Sequence, residues 1–168
     1  MKSVRPLLAV TLLVALATGC ITEPEKIGTN GGSTGTFSIT IPEFVNGPTN
    51  GKATFRVEKV DNVSTLSISF IDSLGFSVVL SGPGAPVVGD ERAIGEEEGM
   101  LGGVLSRITG SNAVVYALTS GSLAVDGVSA NRLAGTIEFT AVQREGPNVG
   151  SVIHGSGNFS ASGGNSST

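Results

Sequence analysis

A chain of 168 residues suits one domain with a substantial core. Its 14 acidic residues outnumber 10 basic ones, a formal charge of −4, which argues against nucleic acid or an anionic lipid surface recognised by charge. A single cysteine excludes an intrachain disulfide framework, and no tryptophan with one tyrosine leaves few of the aromatic platforms that sugar-binding clefts use.

The chain opens with Lys2 and Arg5, then the apolar run 7–16, then Ala17-Thr18-Gly19-Cys20. A basic head and an apolar core of about ten residues suit a secretory signal and are too short for a membrane-spanning helix. Small residues before Cys20 let a peptidase approach the backbone. The segment resembles the signal peptide and lipobox of bacterial lipoproteins. It departs from that pattern at Ala17, where Leu is usual and stands one step earlier, at Leu16. The resemblance implies removal of residues 1–19, a diacylglyceryl group on the Cys20 thiol and an acyl chain, palmitate in kind, on its freed amine. Several chains on one residue anchor durably, where one binds only marginally. Ile21 stands where Asp would favour retention in the inner membrane, which implies an outer-membrane location.

Residues 20–35 follow as lipidated cysteine and tether: Gly, Ser, Thr, Pro and charge without apolar periodicity. Such a segment gives the body about 20 Å of play.

From residue 36 the apolar spacing becomes two. Phe37, Ile39 and Ile41 alternate with Thr36, Ser38 and Thr40. Ala53, Phe55 and Val57 do the same, as do Leu66, Ile68 and Phe70, and then Phe76, Val78 and Leu80. Val104, Ser106 and Ile108, the stretch 113–118, Leu123 with Val125, Leu133 to Phe139 and Val152 to Phe159 complete about nine strands. The alternation predicts that Phe55, Ile68, Phe70, Ile137 and Phe139 are buried, with Arg56, Ser67 and Glu138 on the opposite face. Residues 46–51, 72–75, Ser120-Gly121 and 146–148 carry turn chemistry. Glu91–Arg107 is too rich in glycine for a helix. Short connections predict antiparallel pairing, largely a meander. The expected fold is an all-β antiparallel β-sandwich over residues 36–162, with a partly closed β-barrel as the alternative. Residues 163–168 are expected to form a disordered tail.

Residues 120–141 hold Gly121-Ser122-Leu123-Ala124-Val125 and Gly135-Thr136-Ile137-Glu138-Phe139-Thr140-Ala141, and Gly157-Asn158-Phe159 follows. This part resembles a group of β-rich bacterial lipoproteins whose C-terminal half pairs two such strands and closes on a Gly-x-Phe. No activity comes with the resemblance. Physically, Gly135 permits a bulge or close packing beneath an aromatic.

His154 is the only histidine. A hydrolase would need it as general base beside a serine and a carboxylate, yet no serine lies in a Gly-x-Ser-x-Gly elbow. With Cys20 taken by lipid, a zinc set is lacking as well. The densest charge is Asp90, Glu91, Glu96, Glu97 and Glu98, next to a long Gly/Pro loop. These are weak calcium candidates without Asp-x-Asp spacing, and a solvated loop is the plainer expectation. No catalytic constellation and no cofactor are implied. The expectation is a non-enzymatic, lipid-anchored envelope domain acting in surface interaction or envelope structure, its partners the membrane through the lipid and either an envelope protein or a small apolar ligand. A carrier of a small apolar ligand is the alternative, and a hydrolase with an unrecognised site is the third reading.

Overall fold

The structure, a computed structural model, describes residues 34–44, 47–110 and 112–167. The signal segment, Cys20 and the tether up to residue 33 lie outside them. The strands are β1 (Thr36–Thr40), β2 (Pro48–Val60), β3 (Val63–Ile71), β4 (Phe76–Pro83), β5 (Glu91–Gly95), β6 (Gly102–Thr109), β7 (Asn112–Ser129), β8 (Arg132–Glu145) and β9 (Val152–Ser167). Among the described residues there is no helix.

Chain neighbours pair antiparallel from β1 to β4, and β4 then pairs with β6 across the excursion that holds β5. β6, β7, β8 and β9 continue the meander. β9 returns to β1, Phe37 opposite Phe159, so eight strands close into a barrel. Where β1 has not yet begun, β9 lies directly beside β2 in parallel, from Thr54 opposite Ser162 to Lys59 opposite Ser167. β5 shares one edge of β7 with β6: β6 takes Asn112–Ala117 and β5 takes Ser120–Ala124.

The sheet therefore closes on itself, and the expected sandwich gives way to the barrel. The physical reason lies in β7 and in the inward glycines. β7 spans two expected strands and the expected turn at Ser120-Gly121. Register shifts at Val115/Tyr116, Leu118/Ser120 and Val125/Gly127 bend it round the wall instead of breaking it. Gly121 makes the central bend possible, with φ of 145° and no room for a β-carbon against the Glu138 carbonyl.

Two further expectations change. Residues 163–167, expected as a disordered tail, extend β9 and pair with β2. In β6 the register is shifted by one from the alternation expected. Leu105 faces the core, whereas Val104 and Ile108 are 48% and 54% exposed. A one-residue shift moves every side chain to the other face.

The five side chains expected in the core are buried, and Arg56 and Glu138 face solvent with Ser67 half-buried. Four rings run through the interior: Phe76 to Phe37 at 5.9 Å, Phe37 to Phe70 at 5.5 Å and Phe70 to Phe159 at 5.4 Å between centroids. The two edge contacts, Phe37–Phe70 and Phe70–Phe159, add about 0.5–1.5 kcal/mol each beyond the area they bury. Several rings sit against glycine on the neighbouring strand: Phe37 opposite Gly51, Phe55 opposite Gly163, Phe139 opposite Gly155 and Phe159 opposite Gly135. A missing β-carbon lets the ring lie flat on the facing backbone, which suits a narrow, strongly curved sheet. The close packing expected at Gly135 is thus made under Phe159.

Candidate functional site

The barrel has two ends. The β2–β3 and β7–β8 turns and the β4–β5 loop lie at the lower one. The β3–β4, β6–β7 and β8–β9 turns lie at the upper one, where residues 41–44 follow β1. Ile41 is buried, and the chain then turns so that the Phe44 amide donates to the Ile41 carbonyl at 2.9 Å. The half-buried Phe44 ring lies 5.6 Å from the Tyr116 ring.

Arg107 also stands over Phe44, its guanidinium carbon 4.9 Å from the ring centroid. Its place follows from register: Arg107 lies opposite Phe76 on one side and Val114 on the other, one inward step beyond Leu105. The inward direction at the mouth thus carries a cation. Two depressions flank this stack. One, of about 560 Å3, has Leu74, Phe76, Ile108 and Asn50 on its walls; the other, of about 390 Å3, has Tyr116, Val114, Gln143 and Ile153. Phe44 and Arg107 line both.

The polar groups around the mouth are mostly committed. Asp72 Oδ1 accepts from the Leu74 and Phe76 amides at 2.7 and 2.8 Å, closing the β3–β4 turn. Gln143, only 2% exposed, donates from Nε2 to the Glu145 carbonyl at 3.1 Å and accepts from Ser151 Oγ at 2.9 Å. A buried amide satisfied at both ends holds the β8–β9 turn in place.

His154 lies on the outer face of β9, exposed, with Nδ1 3.0 Å from Glu43 Oε1 and its backbone amide 3.2 Å from the same oxygen. The Glu43 carboxyl lies below its ordinary value. Slight desolvation pushes it up, and the hydrogen bonds from the His154 ring, its own backbone and the His154 amide, with the imidazolium charge, outweigh that. His154 borders a depression of about 460 Å3 on the outer wall with Thr40, Glu138, Thr140 and Ser156 around it, whereas Glu43 borders the depression of about 390 Å3 that Arg107 and Phe44 also line. A histidine oriented by a carboxylate is two-thirds of a hydrolytic triad. Among the described residues, however, no serine or threonine hydroxyl bonds to this ring.

The acidic residues are divided. Asp90 closes the β4–β5 loop, accepting from the Val87 amide at 2.9 Å with Arg92 Nε at 3.6 Å. Glu91 begins β5, while Glu96, Glu97 and Glu98 occupy the turn between β5 and β6, Glu96 bonded to Arg144 at 2.9 Å. Among the described residues no three His, Cys, Asp or Glu side chains converge as a metal site would require. The long Gly/Pro loop is held by Arg92, whose guanidinium donates to the carbonyls of Pro83, Gly84 and Ala85 at 3.2, 3.2 and 2.8 Å.

Phe44, Arg107 and Arg92 escaped the sequence reading. Arg107 had a visible signal, since it lies two residues from Leu105, but the alternation of Val104 and Ile108 pointed to the wrong face. No protein-family model, curated protein or solved structure matches this chain.

Proposed function

We propose that this is a non-enzymatic, lipid-anchored domain of a bacterial cell envelope, held by Cys20 at the outer membrane and acting by contact between its surface and another envelope protein. The observation that carries the reading is the filled barrel. The rings of Phe37, Phe70, Phe76 and Phe159 pack against one another in the barrel interior, all buried, whereas carrier sites are concave and several hundred Å3 in volume. That argues against the carrier. The lack of a hydroxyl on the Glu43–His154 pair argues against the hydrolase. The lipobox-like run ending at Cys20 and the tether behind it support attachment by lipid.

Two measurements test the proposal. Cells fed radiolabelled palmitate should incorporate it into the wild-type chain and not into Cys20→Ser, and the variant should leave the membrane fraction or remain unprocessed. Membrane partitioning unchanged in Cys20→Ser would sink the anchor. Solvent extraction of purified protein followed by mass spectrometry should find no stoichiometric neutral apolar molecule; finding one would favour the carrier instead.

A further inference from the structure

We propose that the upper mouth of the barrel, around Arg107, is a binding site for a carboxylate that carries an apolar flank.

Three observations converge on it. First, Arg107 is half-buried and points into the mouth, between Phe76 and Val114. Its one described contact is the Phe44 ring. The ring offers a π face and no lone pair, so the five N–H donors of the guanidinium meet no carboxylate or carbonyl among the described residues. Arg92, by contrast, is fully engaged by three carbonyls and Asp90. Second, the two carboxylates that line the depressions beside Arg107, Asp72 in one and Glu43 in the other, are bonded elsewhere. Asp72 accepts from two backbone amides, and Glu43 holds His154. Neither forms an ion pair with Arg107. Third, the cation stands beside two depressions of mixed lining whose apolar parts are Phe76, Leu74 and Ile108 in one and Tyr116, Val114 and Ile153 in the other, and Leu74 and Ile108 are 83% and 54% exposed.

This combination selects a ligand chemistry. A guanidinium pairs best with a planar oxyanion through two parallel hydrogen bonds, and partial burial strengthens that pairing relative to open water. The apolar parts of the walls reward a hydrocarbon flank next to the anion. A bare inorganic anion would leave Leu74 and Ile108 in water, and a neutral apolar molecule would leave the guanidinium unmet. A free fatty acid and the C-terminus of a partner chain ending in an apolar residue share the required chemistry. The site does not depend on the lipid anchor, so its failure and that of the anchor are separable.

The test is an NMR titration of the purified chain with two acids and their neutral counterparts: octanoate against octanamide, and acetyl-alanyl-leucine against its amide. At least one acid should saturate, shifting the Arg107 Nε–H together with the Leu74 and Ile108 methyls, and should bind at least tenfold more tightly than its amide. Saturation by octanoate alone assigns the site to a free acid; saturation by the peptide assigns it to a chain terminus. Arg107→Gln should abolish the preference for acid over amide, and Arg107→Lys should restore part of it. Unchanged Ile68 and Leu118 methyl shifts in the variants would show that the barrel is intact. Equal binding of acid and amide, no saturation by either acid, or an acid preference that survives in Arg107→Gln overturns the proposal.

Discussion

The ring of Phe139 lies against the bare backbone of Gly155, its partner across the β8–β9 pair. A β-carbon at residue 155 would overlap the ring. The two residues therefore specify each other: the ring fills the barrel because the opposite position carries no side chain. Gly155→Ala should destabilise the protein by about 1–3 kcal/mol through overpacking, and Phe139→Ala by about 3–5 kcal/mol through the cavity it leaves. Combined with Phe139→Leu, the Gly155→Ala cost should shrink, because the clash partner is smaller. Urea unfolding of the four proteins of that cycle measures the coupling; strict additivity would mean that the contact does not govern the packing.

Arg92 should control the β4–β5 loop. Arg92→Lys keeps the charge and loses the fork that reaches the carbonyls of Pro83, Gly84 and Ala85. The expected cost is about 1–3 kcal/mol, as for other hydrogen bonds to charged groups. Hydrogen exchange locates it. The Gly84 and Gly89 amides, bonded to Ser64 and Val125 carbonyls, should exchange at least tenfold faster in the variant. The Ile68 and Leu80 amides in the wall should be unaffected. A uniform acceleration would point to global destabilisation instead.

The Glu43–His154 contact makes a small part of the stability depend on acid. The Glu43 carboxyl is held below its ordinary value of 4.5 in the folded state, so near that value the unfolded chain binds more protons and stability rises with pH. The contribution is complete above the unfolded value and is lost as pH falls through the folded one. Because the pair is exposed, it should amount to about 0.2–1 kcal/mol and shrink with added salt. Urea midpoints at pH 6 and pH 3 should differ less in Glu43→Gln than in wild type. An identical pH dependence in the two proteins would show that the contact contributes nothing.

Calcium should leave the melting temperature unchanged at millimolar concentration. Asp90 is engaged by the Val87 amide and Arg92, and Glu96 by Arg144. Glu97 and Glu98 have no third carboxylate gathered with them among the described residues. A ligand bound only by the folded state would raise the melting temperature by mass action. A clear calcium-dependent rise that disappears when Glu96, Glu97 and Glu98 are all changed to Gln would contradict this expectation.

Sequence alone determined what is local. Alternation at Phe37–Ile41, Ala53–Val57 and Leu66–Phe70 placed strands and their buried faces, because side chains on an extended backbone alternate with a period of two whatever lies beyond. Gly135 signalled close packing through its missing β-carbon, and the structure seats Phe159 there. Tertiary structure decided what depends on distant partners. Whether the sheet closes rests on β1 meeting β9, Phe37 opposite Phe159, and no local pattern reports that pairing. The continuity of β7 through Ser120-Gly121 depends on β5 and β8 at its sides. Where Val104, Leu105 and Ile108 are all apolar, alternation fits either face, and the partners Val78 and Tyr116 select Leu105 for the core. That choice turns Arg107 into the mouth, so the candidate site came into view only with the register of three strands.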